Sequence, residues 1–391
     1  MIKKVIKKGR IPIKLWTDQI EEGALKQAEN LSNLEFAFSH IAIMPDVHEG
    51  FGMPIGAIAA FEDVVIPHAV GVDIGCGMHA IKTRLSQIDK KHLQAIVKLI
   101  RGTIPLGFEK HKLPQDKKLM PSPISKLNKN SVVYREYDNA LHSLGTLGGG
   151  NHFIEIQEGS DGFIWVMIHS GSRNLGKQVA DHYHRLARKL NQSMGYPVPE
   201  SYGLFFLSTK SQEGQMYLDE MHFCIEYAKA NRRLMAERII GIMEAVLSKR
   251  DIVIEEHDVI HNYASLEKHF SKRVWVHRKG ATRAFEGDIC IIPGSQGSKS
   301  YIAIGLGNSE SFKSCSHGAG RTLSRHKARK TLSLSEEVKR LNKLGIIHSL
   351  HSKRDLDEAP SAYKDINTVI NNQTDLIKPI VELKPLAVIK G

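Results

Sequence analysis

The chain has 391 residues, 41% hydrophobic and 25% charged, enough apolar material for a substantial core in one large domain or two ordinary ones. Its 54 Lys and Arg against 42 Asp and Glu leave a formal charge of +12, which admits a polyanionic partner such as nucleic acid without requiring one. The four cysteines, Cys76, Cys224, Cys290 and Cys315, include no CxxC pair, which argues against a disulfide scaffold, and no apolar run approaches the ~20 residues of a membrane span. The basic start of the chain is followed by Lys14 and Asp18 where an export signal needs apolar residues, so the expected compartment is the cytoplasm.

In chain order, helical periodicity covers 21–31, and β-rich runs follow at 41–44, 57–61 and 64–66. Next comes Gly71-Val72-Asp73-Ile74-Gly75-Cys76-Gly77, where a carboxylate and a thiol three residues apart in a Gly-punctuated loop can converge on one cation or on two neighbouring ones. A helix is expected over 88–100. The stretch 110–130, rich in Lys, Pro, Ser and Asn and holding Pro114, Pro121 and Pro123, reads as an exposed basic loop. Gly148-Gly149-Gly150-Asn151-His152 leads into expected strands at 152–156 and 164–168, and the second ends in His169-Ser170-Gly171-Ser172-Arg173.

Helices are expected over 178–190 and 212–247, the latter one major helix or a kinked pair. His261-Asn262-Tyr263 precedes strands at 274–277, 289–292 and 301–304, and a short helix is expected over 325–330. Helices bunched mid-chain with strands on either side indicate an α+β fold without regular βαβ alternation. Because the candidate ligands span residues 73 to 317, no cut at a linker leaves the site whole, and residues 1–391 are read as one catalytic domain.

Asp73, Cys76, His152, His169 and His261 form a mixed oxygen, sulfur and nitrogen set, each histidine beside small or amide residues at a strand end. Such a set disfavours Mg²⁺ and Ca²⁺ and leaves Mn²⁺, Zn²⁺, Fe²⁺ and Co²⁺. Three small-residue loops, 148–150, 294–300 and 318–320, can bring backbone amides close to phosphate oxygens, although none matches the P-loop spacing. Arg321 and Arg325, four apart, are expected to present two guanidiniums on one helical face. His317, exposed in the loop before them, could act as metal ligand, general base or covalent nucleophile.

The segments GVDIGCGM, LGGGNHFIEI, HSGSR, HNY, GSQGSKSY, SHGAGR and AYKDI, in this order from Met44-Pro45-Asp46-Val47-His48 to Lys390-Gly391, closely resemble the RtcB family of RNA ligases. The resemblance implies a single large domain of central β-sheets flanked by helices, with the active site in a central cleft. It implies joining of an RNA 3′-phosphate or 2′,3′-cyclic phosphate to a 5′-hydroxyl, in tRNA splicing or RNA repair, with GTP and two Mn²⁺ ions. By that resemblance Asp73, Cys76, His152, His169 and His261 hold the ions, with Cys76 bridging, and His317 takes GMP, with Asp46 orienting the transfer. Asn151, Asn262, Ser295, Ala319 and Gly320 hold the GTP phosphates or ribose, and Phe153 and Tyr363 flank the base. Glu155, Ser300 and Lys390 suit the hydrogen-bonding edge of guanine, while Arg173, Arg321 and Arg325 hold RNA phosphates. The chain departs from the family pattern at His79, Asn174 and the 49–53 loop, none of them an implied ligand or nucleophile.

Overall fold

A computed structural model describes residues 1–122, 127–196 and 198–391. Its frame is two β-sheets. One has six strands in the order Lys4–Ile6, Ile13–Leu15, Ala37–Phe51, Met53–Phe61, Lys272–Lys279 and Asn262–His269. The other has seven, in the order Val253–Ile260, Gly77–Thr83, Ile164–Ser170, Phe153–Gly159, Ile377–Lys390, Ser300–Gly305 and Ile289–Ile292, every neighbouring pair antiparallel. The chain crosses from the second sheet to the first through His261 alone, between Val253–Ile260 and Asn262–His269. That residue is therefore fixed from both sides. The α+β expectation holds.

The strands were expected where apolar runs are uninterrupted, and those runs are buried on both faces. Polar or Pro-containing strands escaped notice. Val253–Ile260 carries Glu255, Glu256, His257 and Asp258 and lies at a sheet edge, where one side meets solvent. Ile377–Lys390 contains Pro379 and Pro385, both at register shifts where a missing N–H costs no ladder bond. In Ala37–Phe51, pairing passes from Ile43 opposite Ala57 to His48 opposite Ile55, so five steps on one strand span two on its partner. This bulge lifts Pro45-Asp46-Val47 off the ladder and frees Asp46 to turn inward.

Residues 212–247 form one continuous helix, Gln212–Leu247, and not a kinked pair. The Ser211 side chain caps its N-terminus by accepting from Gly214 N, and Ser248 ends it in the left-handed region at φ 50°. One side packs with Arg173–Ser193 and Val132–Ser143, the other against Lys90–Thr103 and the seven-stranded sheet. Val132–Ser143, Leu334–Lys343 and Ile366–Asn371 were not anticipated, the first because its window mixes Tyr, Arg, Glu and Asp with few apolar residues. In the basic 110–130 stretch most side chains are exposed and a short 3₁₀ turn occupies Lys117–Leu119. Pro123 of that stretch lies outside the described residues. Among the described residues no helix is long and apolar enough to cross a membrane.

Candidate active site

The Gly71–Gly77 loop is folded by glycines at φ 97° and 75°, Gly71 and Gly75, and closed by Cys76 N donating to Asp73 O at 3.1 Å. It is pinned to the crossover by Gly75 N on Asn262 O at 2.8 Å and His261 N on Cys76 O at 2.9 Å. Cys76, His169 and His261 form one group of side chains that could hold a cation; Asp73, Cys76 and His152 form another. Cys76 belongs to both. Its Sγ lies 3.3 Å from His169 Nε2 and 3.5 Å from His152 Nε2, while His169 Nε2 is 3.3 Å from His261 Nε2. On the other side Asp73 Oδ2 is 3.0 Å from His152 Nε2.

The outer atoms of two of these rings are already spent. His152 Nδ1 faces Leu147 O and His169 Nδ1 faces Asn151 O, each at 3.0 Å, which turns both Nε2 atoms toward the thiol. Burial, with the charges of neighbouring groups, holds His169 and His261 well below the ordinary imidazole range, so both are neutral. Burial would raise the Asp73 carboxyl, but the hydrogen bond and charge of His152, with Arg173 beyond, hold it at about 2. Burial and the Asp73 charge push the Cys76 thiol up, so a cation is what would draw out the thiolate. Neutral imidazoles, an ionised carboxylate and a buried shared sulfur fit a pair of borderline divalent cations.

Beneath this cluster lies a support that sequence reading missed. Arg232 on Gln212–Leu247 is fully buried and donates from Nη1 to Gly75 O and Ser170 O, both at 2.9 Å, and from Nε and Nη2 to Asp258 at 2.6 and 2.7 Å. Its neighbour Asn231 accepts from Gly145 N and Thr146 N and donates to Thr146 O, Ser170 Oγ and Gly171 O. Two adjacent polar residues on one helix thus hold three ligand-bearing loops in register. His79, one of the departures from the family pattern, is buried with Nδ1 3.7 Å from Asp258 Oδ2, the oxygen that Arg232 Nε also reaches. Asn174 reaches only Gln178 on the exposed face of its helix.

His317 follows the short strand Ser314–Ser316, which pairs with Ala281–Arg283, itself tied to the crossover by Ala281 N on His261 O at 3.3 Å. This pairing brings its ring to 4.8 Å from that of His261, centroid to centroid. Asp46, fully buried on its bulge, accepts from His317 Nδ1 at 2.7 Å, from His317 N at 3.0 Å and from Gly318 N at 3.3 Å, all at Oδ2. Burial would raise this carboxyl, yet His317 and Lys364 hold it below the usual range. The Lys364 ammonium, unnoticed in the sequence, straddles the bulge on Pro45 O and Val47 O. Gly320, at φ 71°, is required here because a methyl group on it would lie 2.1 Å from Asp46 O.

These elements border a cleft of about 870 Å³. Asp73, Cys76, His169, His261 and His317 line it, with Asn151, Phe153, Glu155, Asn262, Ser295, Ala319, Gly320, Tyr363 and Lys390. Asp46, His152, Arg173 and Ser300 stand behind the wall. Ser300 is buried and its hydroxyl is engaged by Gln157 Nε2 and Gly294 N, both at 3.1 Å, so it meets the cleft only through Gln157, which donates to Glu155 at 2.6 Å. Burial pushes Glu155 up to about 8, against Lys390 and Gln157. Asn262 spends its amide on Asp73 O at 3.1 Å and Gly280 N at 2.9 Å, tying the Gly71–Gly77 loop to Gly280, where an added methyl group would lie 3.1 Å from His317 Cε1.

The arginines require a correction. Arg321 and Arg325 do not share a helical face: the helix Arg325–Thr331 starts only at Arg325, capped by Ser324, and Arg321 forms an isolated bridge with Tyr363. They converge instead on Glu358, buried, 3.1 Å from Arg321 Nη1 and 3.6 Å from Arg325 Nε. Glu358 also accepts from Tyr363 and from Lys390 Nζ, the latter at 2.9 Å. Burial would raise Glu358, but Lys390 and Arg321 hold it at about 2. Nothing in its Asp-Glu-Ala-Pro surroundings marks it out in the sequence. Arg173 is anchored by Nε on Thr146 Oγ1 at 2.9 Å and Nη2 on Gly107 O at 3.0 Å. Lys390 pairs with Phe153 in the sheet and is not frayed.

An α+β protein with two Cys/His/Asp donor groups sharing one sulfur, beside a buried-carboxylate–histidine pair in one cleft, is thus defined by fold and site. The chain belongs to the RtcB family: the family model described as tRNA-splicing ligase RtcB matches residues 27–391. The RNA-splicing ligase RtcB of Escherichia coli K12 is 36% identical over 405 residues, covering 97% of each chain. The tRNA-splicing ligase RtcB of Nanoarchaeum equitans is 35% identical, covering 98% of this chain and 96% of its own, and that of Thermococcus kodakarensis is 31% identical, covering 100% and 97%.

Proposed function

We propose that this chain is an RNA ligase that joins RNA 3′-phosphate or 2′,3′-cyclic phosphate ends to 5′-hydroxyl ends, using GTP and two Mn²⁺ ions, through a histidine–GMP intermediate. The observation that carries the reading is the Asp46–His317 pair, 2.7 Å apart, beside the shared-thiol donor groups. Asp46 accepts the Nδ1 proton of His317, which leaves the Nε2 lone pair as nucleophile. His317 Nε2 bonds to the α-phosphorus of GTP as the bond to pyrophosphate breaks, and Asp46 stabilises the imidazolium that forms. An oxygen of the RNA 3′-phosphate then displaces His317 from that phosphorus, and the 5′-hydroxyl finally displaces GMP from the activated RNA end. Asp73, Cys76 and His152 would hold one Mn²⁺ and Cys76, His169 and His261 the other; bound there, the ions neutralise phosphate oxygens.

Phe153 and Tyr363 flank the base in this assignment, and Glu155 and Lys390 read its edge, with Ser300 supporting Glu155 through Gln157. Asn151, Ser295, Ala319 and Gly320 border the phosphates and ribose, and Asn262 shapes their loop. Arg173, Arg321 and Arg325 supply fixed positive charge for RNA phosphates. Incubation with α-labelled GTP and Mn²⁺ tests the whole: denaturation-stable label is expected, and a protein that opens cyclic phosphates without becoming labelled is a phosphoesterase instead.

Because both donor groups share Cys76, Cys76→Ala should lower bound manganese from about two ions per chain to under about one, with an unchanged circular dichroism spectrum and no RNA joining. Full manganese occupancy in this variant would remove the bridging role. Deleting Lys390 and Gly391 takes away the ammonium between Glu358 and Phe153, so the KM for GTP should rise about tenfold or more while RNA binding changes by less than about twofold. Equal losses in both would count against Lys390 as a base-reading residue.

A further inference from the structure

Phe108 is 99% exposed, in the turn that follows Leu106, which bridges to Gly148. A lone exposed aromatic is unremarkable by itself. The backbone around it supplies a second observation. Gly107, directly before Phe108, donates to Gly148 O at 3.2 Å and accepts from Arg173 Nη2 at 3.0 Å. A methyl group on Gly149 would lie 3.6 Å from Gly107 Cα, and one on Gly150 would lie 2.7 Å from Arg325 Nη2. From Phe108 the surface thus runs over Gly107, against which the chain end Gly391 packs, to the partly open Gly149 and Gly150 and on to a guanidinium.

That guanidinium is available. Arg325 is 53% exposed, and its one ion pair among the described residues is the loose 3.6 Å contact to Glu358, already engaged at shorter range by Arg321 and Lys390. A few residues further along the chain, Lys112, Lys117 and Lys118 are exposed and none has a carboxylate within 4.0 Å among the described residues. Aromatic face, close-approach backbone and unpaired cations in sequence are the requirements for holding one nucleotide of a single strand: a base on the ring, the sugar-phosphate over the glycines, a phosphate at the cation. An apolar partner protein would meet lysines and bare backbone here, and a membrane would meet a single ring.

We propose that Phe108 is a stacking platform for an unpaired nucleobase of the substrate RNA, whose adjoining phosphate crosses Gly149 and Gly150 to Arg325. The assignment rests on the RNA-ligase reading above and adds to it the grip on the strand outside the reacting phosphate. It makes the enzyme dependent on a single-stranded nucleotide next to the end being joined. A duplex running flush to that end cannot present its base to the ring.

The test is Phe108→Ala, Phe108→Leu and Phe108→Trp in the full chain, measured by His317 guanylylation and by joining of 3′-phosphate RNA with single-stranded or blunt duplex ends. Phe108→Ala is expected to leave guanylylation unchanged and to raise the KM for single-stranded ends by about 5- to 150-fold, with Trp restoring the wild-type value and Leu failing to. Blunt ends should be poor substrates and indifferent to the substitution. An Ala variant with unchanged KM, or a Leu variant equal to wild type, overturns the stacking site while leaving the ligase reading intact. Absence of guanylylation in the unmodified protein overturns that reading first.

Discussion

His317→Ala should be folded, should bind manganese, and should carry no covalent nucleotide. The ring is largely covered but makes one side-chain hydrogen bond, to Asp46, and belongs to neither donor group, so its removal opens a small cavity without dismantling the cation site. Guanylylation and joining of 3′-phosphate ends are expected to fall by about 10³-fold or more, because no other nucleophile replaces Nε2. The companion substitution Asp46→Asn isolates the tautomer. A carboxylate at this position can only accept, which keeps the proton on Nδ1; an amide can donate to Nδ1 and drive the proton to Nε2, where it blocks attack. Its guanylylation rate should fall on the order of 10²- to 10⁴-fold with GTP affinity nearly unchanged. Wild-type labelling in His317→Ala would sink the covalent mechanism.

The second large effect concerns stability. Arg232→Met keeps an unbranched side chain of comparable length but removes all four hydrogen bonds at once. Left behind are the Asp258 carboxylate, facing partly to solvent, and the buried Gly75 and Ser170 carbonyls. Removing one partner of a buried ion pair costs about 3–5 kcal/mol, and that loss should be visible as a lower denaturation midpoint in urea. Since Gly75 and Ser170 each precede or follow a donor residue, Cys76 or His169, manganese affinity should fall as well, by about tenfold. A change below about 1 kcal/mol with normal metal binding would show that Arg232 is not the support described.

These two experiments probe residues of different visibility. His317, Cys76 and Asp73 stand among glycines and small residues in short loops, where a reactive side chain has no packing task, so local context announced them. Arg232 lies inside a long helix where its charge reads as a solvated position, and only the packing of Gln212–Leu247 against two strand ends turns it inward. Glu358 was hidden for a similar reason: it acquires meaning from Arg321, Lys390 and Tyr363, which reach it from three separate segments. The reading of Arg321 and Arg325 as one helical face went wrong because spacing of four was taken as helix one turn too early, before the Ser324 cap.

What the amino-acid sequence determined unaided was the inventory: an α+β chain, its apolar strands and long helix, and a donor set of one carboxylate, one thiol and three imidazoles with a further histidine nearby. These are local properties, set by side-chain chemistry and by periodicity over a few residues. The tertiary structure alone decided that Asp46 meets His317 across 271 positions, that Cys76 is the sulfur common to both donor groups, and that Ser300 lies behind the wall, bonded to Gln157. Such pairings depend on sheet register, on the bulge at Pro45-Asp46-Val47 and on the one-residue crossover at His261, and contacts closed over hundreds of residues leave no periodic trace in the chain.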